Sequence, residues 1–324
     1  MDNNNVIDRL SPIFARIENL IRDHITSSVP FVSEVCQHIL LSGGKRLRPA
    51  LFVLAAHLCG RSDGREFELA PAVEYLHAAT LLHDDVVDES DTRRGRKAAH
   101  MVFGNREVIL VGDFLLAKSL SLGVDSGIMS FIEIMSRAVA QMSEGEVLQL
   151  LKAFNPNLTQ DQYLDVVYRK TGILIECSCR LGAVLAGATP EWESALTEYG
   201  RKIGTAFQII DDCLDYQTTA EEFGKPVGHD LDEGKITLPI LHTLAEANPP
   251  DRNELAGLVS QRHRASEEFN RVRELIDKYK GLESANQFAA DLIDQAKQVL
   301  DILPDKPEKT DLIDLADFIV KRRK

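Results

Sequence analysis

AVEYLHAATLLHDDVVDESDTRRGRKAAH, residues 72–100, decides how the rest of the chain is read. Its first half is apolar (Ala72, Val73, Leu76, Ala78, Ala79, Leu81, Leu82) and free of Gly and Pro, which predicts a buried helix. That helix ends in three carboxylates, Asp84, Asp85 and Asp88, spaced D-D-x-x-D. Asp84 and Asp88 are four apart and share a face. Carboxylates at the end of a core helix are costly unless something cationic neutralises them. Arg93 and Arg94 follow within the same stretch. Oxygen donors without His or Cys suit a hard cation such as Mg²⁺, which keeps waters and binds substrate phosphates through a few carboxylates. Taken alone, the pattern reads equally well as a solvated acidic helix end.

A second copy tips the reading. Residues 204–216, GTAFQIIDDCLDY, repeat the spacing with Asp211, Asp212 and Asp215 at the end of another apolar helical run. Asp211 and Asp215 share a face, and Gln208 lies one turn earlier on the same side. Two such helix ends around one cavity would hold several divalent ions, a trap suited to a diphosphate leaving group.

Basic residues flank these runs. Ser42-Gly43-Gly44 ends a helix over 31–41 and lets backbone approach a ligand closely. Lys45, Arg46 and Arg48 follow, and Pro49 opens the next helix. The bland alternative is a helix stop followed by a solvated basic turn. A helix from Thr159 to about Gly187 carries Lys170-Thr171-Gly172 in its middle. Glycine is a poor helix-interior residue, so this spot predicts a kink that aims Lys170 into the cavity. A snorkelling lysine on a bent helix is the alternative. Residues 89–104 read as a polar loop, and no strand pattern stands out.

Composition narrows the class. The 324 residues are 44% hydrophobic, 27% charged and only 6% aromatic, with helix formers dominant, which favours an all-α fold. No linker or repeat divides the chain, so one domain over 1–324 is expected. A net charge of −13 argues against nucleic acid as a partner and repels anionic substrates at long range. A diphosphate site must therefore be made attractive locally. Five cysteines without paired C-x-x-C spacing fit a reducing, cytoplasmic setting. There is no secretory leader pattern, and no apolar run reaches the roughly 20 residues that span a bilayer.

LLHDDVVDESDTRRG (81–95) resembles the first aspartate-rich motif of the trans-type polyprenyl diphosphate synthases, and FQIIDDCLDY (207–216) resembles their second. GGKRLRP (43–49), GDFLLAKS (112–119), Lys170-Thr171 and GKPVGHDLDEGKITLP (224–239) match in order, so the likeness runs from about residue 35 to the C-terminus. It is closest to the long-chain bacterial members. The resemblance implies a helical bundle of the isoprenoid synthase type, roughly ten or more helices around a deep central cavity. It implies Mg²⁺-dependent, head-to-tail 1′-4 addition of isopentenyl diphosphate to an allylic diphosphate such as farnesyl diphosphate, giving a long all-trans chain for a quinone. It also implies a homodimer and transient membrane contact for product release.

Carried onto this sequence, Asp84, Asp88 and Asp211 are the expected metal ligands, supported by Asp85, Asp212 and Asp215. Arg93, Lys170, Lys225 and Lys235 would hold the allylic diphosphate, with Thr171 and Gln208 donating hydrogen bonds. Lys45, Arg48, His77 and Arg94 would hold isopentenyl diphosphate. Phe207 could turn a ring face toward the developing carbocation. The small Ala79 and Thr80, with Leu76 deeper, leave the chain-length pocket open along the helix, and Phe131 or Met135 are candidates for its floor. Some relatives fold a basic tail like Lys321-Arg322-Arg323-Lys324 over the second diphosphate. Three rivals stay in view: a shorter-chain farnesyl or geranylgeranyl synthase, a terpene cyclase, and a non-catalytic partner subunit. The two intact aspartate motifs and the basic substrate site speak against the last two.

Overall fold

The computed structural model describes residues 4–93, 95–217, 228–262 and 265–321, and they are helical nearly throughout. Contacts divide the chain into two compact units. The first comprises Met1–Arg137, Cys177–Thr197 and Ile302–Leu312; the second comprises Ala138–Glu176, Glu198–Asp301 and Ile313–Lys324.

The first unit is built on the Leu47–Leu58 helix, which is buried on nearly every side, from Pro49 to Leu58. A helix that is apolar all round belongs in a core. Gly182 packs directly against it: a Cβ there would sit 2.3 Å from the Phe52 carbonyl oxygen. Phe52 meets Phe131 edge-on at 6.0 Å between ring centres. The stretch 6–26 reads as one amphipathic helix but forms two, Asn4–Arg9 and Ser11–His24. Pro12 explains the break, since it has no N–H to continue a ladder and is at home in a first turn. The stripe over Ile17 and Ile21 is buried as its spacing predicts.

The Pro71–Val87 helix carries the first aspartate motif and lies along Asn105–Asp125. Ser119 Oγ donates to the Ala72 carbonyl at 2.6 Å, and a Cβ at Gly112 would strike the His83 ring at 2.3 Å. Small residues let these two helices approach closely. The expected loop over 89–104 has more order than its polarity suggests. Thr92–Arg93 and Arg96–Lys97 pair antiparallel, Thr92 opposite Lys97, around Gly95 at φ +73°, and a short helix follows over Ala99–Phe103.

In the second unit, Gln160–Val167 starts with a capping box between Thr159 and Gln162. Tyr168–Gly172 then makes one π-helical turn before Ile173–Ala186. Pro190–Gln217 brings the second aspartate motif into this unit, with Tyr199 and Tyr216 fully buried. Gly281–Val299 packs on Leu238–Glu246, where a Cβ at Gly281 would lie 2.3 Å from the Pro239 carbonyl. Among the described residues no helix is long and apolar enough to cross a membrane.

Candidate active site

Of the half-exposed residues on Pro71–Val87 and its cap, His77, Thr80, Leu81, Asp84 and Asp88 form one set, with His83 and Val86 off it. Their spacing of three, four, seven and eleven is one helical stripe. Asp88 ends the helix, its N–H bonded to the Asp84 carbonyl at 2.8 Å. The other predicted members of this segment face inward: Leu76, Ala79 and Asp85 are 1%, 2% and 0% exposed. Asp85 is thereby separated in role from its neighbours. Its Oδ1 accepts Arg93 Nε at 2.6 Å and is also 2.6 Å from Nη2. The small ribbon around Gly95 holds Arg93 there. The next residue, Arg94, lies outside the described residues.

The basic loop divides in a way its sequence did not announce. Lys45 is exposed and Arg48 half-buried, but Arg46 between them is 5% exposed and enclosed by acids.

In the second unit the predicted residues converge. Lys170, Gln208, Asp212 and Lys235 line a cleft, with Leu158, Val166, Val167 and Ile236 as its apolar wall. The π-turn places Lys170. Its Nζ donates to Glu146 at 2.9 Å, while Arg169 donates to Asp165 at 2.8 Å. Gly145 makes that approach possible, since a Cβ there would be 3.0 Å from the Lys170 amide nitrogen. Next along the turn, Thr171 Oγ1 donates to Gln208 Oε1 at 2.7 Å. Gln208 Nε2 passes the line on to Asp212 Oδ1 at 2.7 Å, and Tyr163 donates to Asp212 Oδ2 at 2.6 Å. A continuous row of hydrogen bonds thus joins the lysine turn to the second aspartate motif.

The turn and the motif meet where two glycines cross. A Cβ at Gly204 would lie 2.8 Å from Gly172 Cα and 2.9 Å from its carbonyl oxygen. Gly204→Ala is therefore expected to destabilise the protein by about 1–3 kcal/mol through overpacking. Denaturant unfolding checks this, and an unshifted midpoint would show that the helices can part without cost.

The three aspartates of the second motif are not equivalent. Asp211 is exposed, and Asp215 is half-buried and accepts the Asp230 amide at 3.2 Å. Asp212 is buried, and desolvation with the nearby charge of Asp230 pushes its carboxyl up to about 8, against the pull of Tyr163 and Gln208. Lys235 Nζ donates to Asp230 at 3.1 Å and also pairs with Glu233. Phe207, four residues before Asp211, is half-buried. Lys225 and Arg322–Lys324 lie outside the described residues.

Sequence reasoning missed Glu146, Tyr163 and Asp230. Tyr163 carried a usable signal, seven residues before Lys170 and so two turns away on the same side. Asp230 stood five residues before Lys235 in a stretch already read as a match. Glu146 carried none, because its partner comes from another helix.

The donor set fits a hard divalent cation. It is oxygen-only, and in each motif the middle aspartate is buried while the outer two are half-buried or exposed. Among the described residues no three His, Cys, Asp or Glu side chains converge into a closed cage.

Comparison with known proteins agrees with this chemistry. Residues 29–276 match the polyprenyl synthetase family. Over 311 residues, 95% of each chain, the sequence is 40% identical to octaprenyl diphosphate synthase of Escherichia coli. It is 36% identical over 319 residues, 97% of each chain, to the geranyl-diphosphate-specific all-trans-nonaprenyl-diphosphate synthase of Rhodobacter capsulatus. A polyprenyl synthase from Caulobacter crescentus, crystallised with calcium and isoprenyl diphosphate, superposes with a TM-score of 0.93 at 40% identity, covering 100% of this chain and 98% of the other.

Proposed function

The chain belongs to the polyprenyl synthetase family, and on that premise we propose how its residues divide the work. It is a prenyltransferase that elongates an allylic diphosphate with isopentenyl diphosphate to a long-chain polyprenyl diphosphate. The observation that carries the residue assignment is the cleft where Lys170 and Lys235 stand beside Asp212 and Gln208 against an apolar wall. Cations on one side and hydrocarbon on the other match a substrate with a charged head and an apolar tail.

Lys170, Lys235 and Arg93, with Lys225 beyond the described residues, cradle the allylic diphosphate, and Thr171 and Gln208 orient it. Lysine and arginine suit the task because neither titrates near neutral pH. Asp84, Asp88 and Asp211 hold the divalent cations, which we read as Mg²⁺. Asp85, Asp212 and Asp215 support them from behind. When bound, the cation neutralises diphosphate charge as the allylic C–O bond breaks. Lys45, Arg48, His77 and Arg94 hold the second diphosphate so that the isopentenyl C4 alkene faces the allylic C1. The new C–C bond forms as the electron pair of the old C–O bond leaves with diphosphate. A proton lost from the isopentenyl C2 then goes to that diphosphate, and Phe207 shields the carbocation between the steps.

Residues 1–324 act as one catalytic domain in this reading, in the cytoplasm and as a homodimer. Exposed Ile109, Leu110 and Val124 on Asn105–Asp125 are the apolar side chains there that a second copy would cover. The product feeds quinone synthesis and is handed over by transient membrane contact.

Incubating the purified protein with Mg²⁺, farnesyl diphosphate and radiolabelled isopentenyl diphosphate tests the reading. The expected product is a ladder ending near octaprenyl, abolished by a chelator. Products ending at geranylgeranyl would establish a shorter-chain enzyme. A hydrocarbon formed without isopentenyl diphosphate would establish a cyclase, and no product at all a non-catalytic subunit.

A further inference from the structure

Arg46 sits inside the basic loop but faces away from solvent, at 5% exposure between exposed Lys45 and half-buried Arg48. All three guanidinium nitrogens are engaged. Nε donates to Glu18 Oε2 at 2.7 Å, Nη1 to Glu74 Oε1 at 2.7 Å, and Nη2 to the Leu40 carbonyl. These partners come from three places: the Ser11–His24 helix, the Pro71–Val87 helix and the last residue of Pro30–Leu40. Glu74 is itself 6% exposed, so the pair is shielded from solvent screening.

The backbone of Arg46 is equally committed. Its φ is +46°, a left-handed conformation uncommon for a residue with a Cβ, and its carbonyl accepts the Ala50 amide at 3.1 Å to open the Leu47–Leu58 helix. Gly43 and Gly44 also have positive φ, at +92° and +138°. Three residues within a span of four therefore hold unusual turns, and only the arginine has a side chain to lock them. The opposing charge is well placed for this: burial alone would lower the arginine's pKa, yet Glu74 and Glu18 raise it above the ordinary value.

We propose that Arg46 is a positioning residue for the isopentenyl diphosphate site, clamping the Gly43–Arg46 loop and the start of the Leu47–Leu58 helix to Glu18 and Glu74 so that Lys45 and Arg48 are held in one arrangement. It touches no substrate. The clamp also registers the loop against the Pro71–Val87 helix, on which Glu74 precedes Asp84 by ten residues, about 15 Å of helix at 1.5 Å per residue. The inference rests on the reading of Lys45 and Arg48 as diphosphate ligands.

Arg46→Lys keeps the charge but loses the fork, and Glu18→Gln removes one arm at the less buried end. Each is expected to raise the isopentenyl diphosphate KM about tenfold or more, as displaced binding groups do, with the allylic KM within twofold of the parent. A purely structural role would lower the melting temperature and move both KM values together, or neither. Calorimetric titration of isopentenyl diphosphate into metal-free protein gives the same comparison without turnover. Glu18→Gln guards against a buried lysine preventing folding. Lys45→Ala, made alongside, separates the two layers. If Lys45→Ala weakens isopentenyl diphosphate while folded Arg46→Lys and Glu18→Gln do not, the positioning role is overturned. If Lys45→Ala is also silent, the loop is not the isopentenyl site and the reading beneath the inference falls.

Discussion

Asp84→Asn is expected to lower turnover by about a thousandfold at saturating Mg²⁺ while the protein stays folded. The side chain keeps its shape and loses its charge, at a half-exposed position on the open stripe of the Pro71–Val87 helix. The position is only half-buried, so the loss of stability should stay well below that of breaking a buried pair. What is lost acts only when charge develops on the leaving diphosphate, and single donors to such charge are worth about 10²–10³ in rate. The same loss is expected for Asp211→Asn, which is exposed. Asp85→Asn should behave differently, because Asp85 is fully buried and bonded to Arg93 at 2.6 Å. Breaking a buried pair costs about 3–5 kcal/mol, so this variant should melt earlier as well as turn over slowly. Single-turnover rates with thermal melts separate the two classes. Wild-type turnover in Asp84→Asn or Asp211→Asn would remove those residues from the metal site.

Ala79→Tyr is expected to shorten the product from near octaprenyl to mainly farnesyl and geranylgeranyl, with the first condensation retained. Ala79 lies five residues before Asp84, about one and a half turns below the metal end of the helix. From Asp84 down to Val73 the helix runs about 16 Å at 1.5 Å per residue, and along it Thr80, Ala79, Leu76, Val73 and Ala72 carry no aromatic ring. Thr80 is held back on its own helix, its hydroxyl donating to the His77 carbonyl at 2.9 Å. Phe131 and Met135, the floor candidates, are fully buried, and Gly123 admits them: a Cβ there would lie 3.1 Å from Met135 Sδ and 3.6 Å from the Phe131 ring. A tyrosine in place of Ala79 needs the volume that a growing chain would take. If that volume is absent, the cost is overpacking of about 1–3 kcal/mol, read as a lower melting temperature. A folded Ala79→Tyr enzyme that still makes the parent length would place the chain elsewhere.

Helix content and both aspartate motifs were legible because they depend on local spacing. Apolar residues at helical period predict Pro71–Val87 and Pro190–Gln217, and D-D-x-x-D then sets two carboxylates on one face of each. The weak point at Lys170-Thr171-Gly172 was legible too, since a mid-helix glycine beside a lysine asks for a reason. The form of the distortion, a π-turn, was not. It lies at the close approach of Gly172 to Gly204, thirty-two residues apart in sequence.

The sequence by itself determined an all-α fold, the two acidic helix ends and the class of substrate, because charge type and helical period are properties of neighbours. Only the tertiary structure decided which member of each charged group serves the others. Asp85 and Asp84 are adjacent, yet one is buried against Arg93 and the other is half-exposed, because a helix turns successive side chains about 100° apart. Arg46 lies next to Lys45, yet one is enclosed by Glu18 and Glu74 and the other is exposed. Lys170 meets Glu146 and Asp212 meets Tyr163 across helices that nothing local connects. Burial and partner choice come from packing between distant segments, and a buried charge takes whichever opposite group the packing supplies.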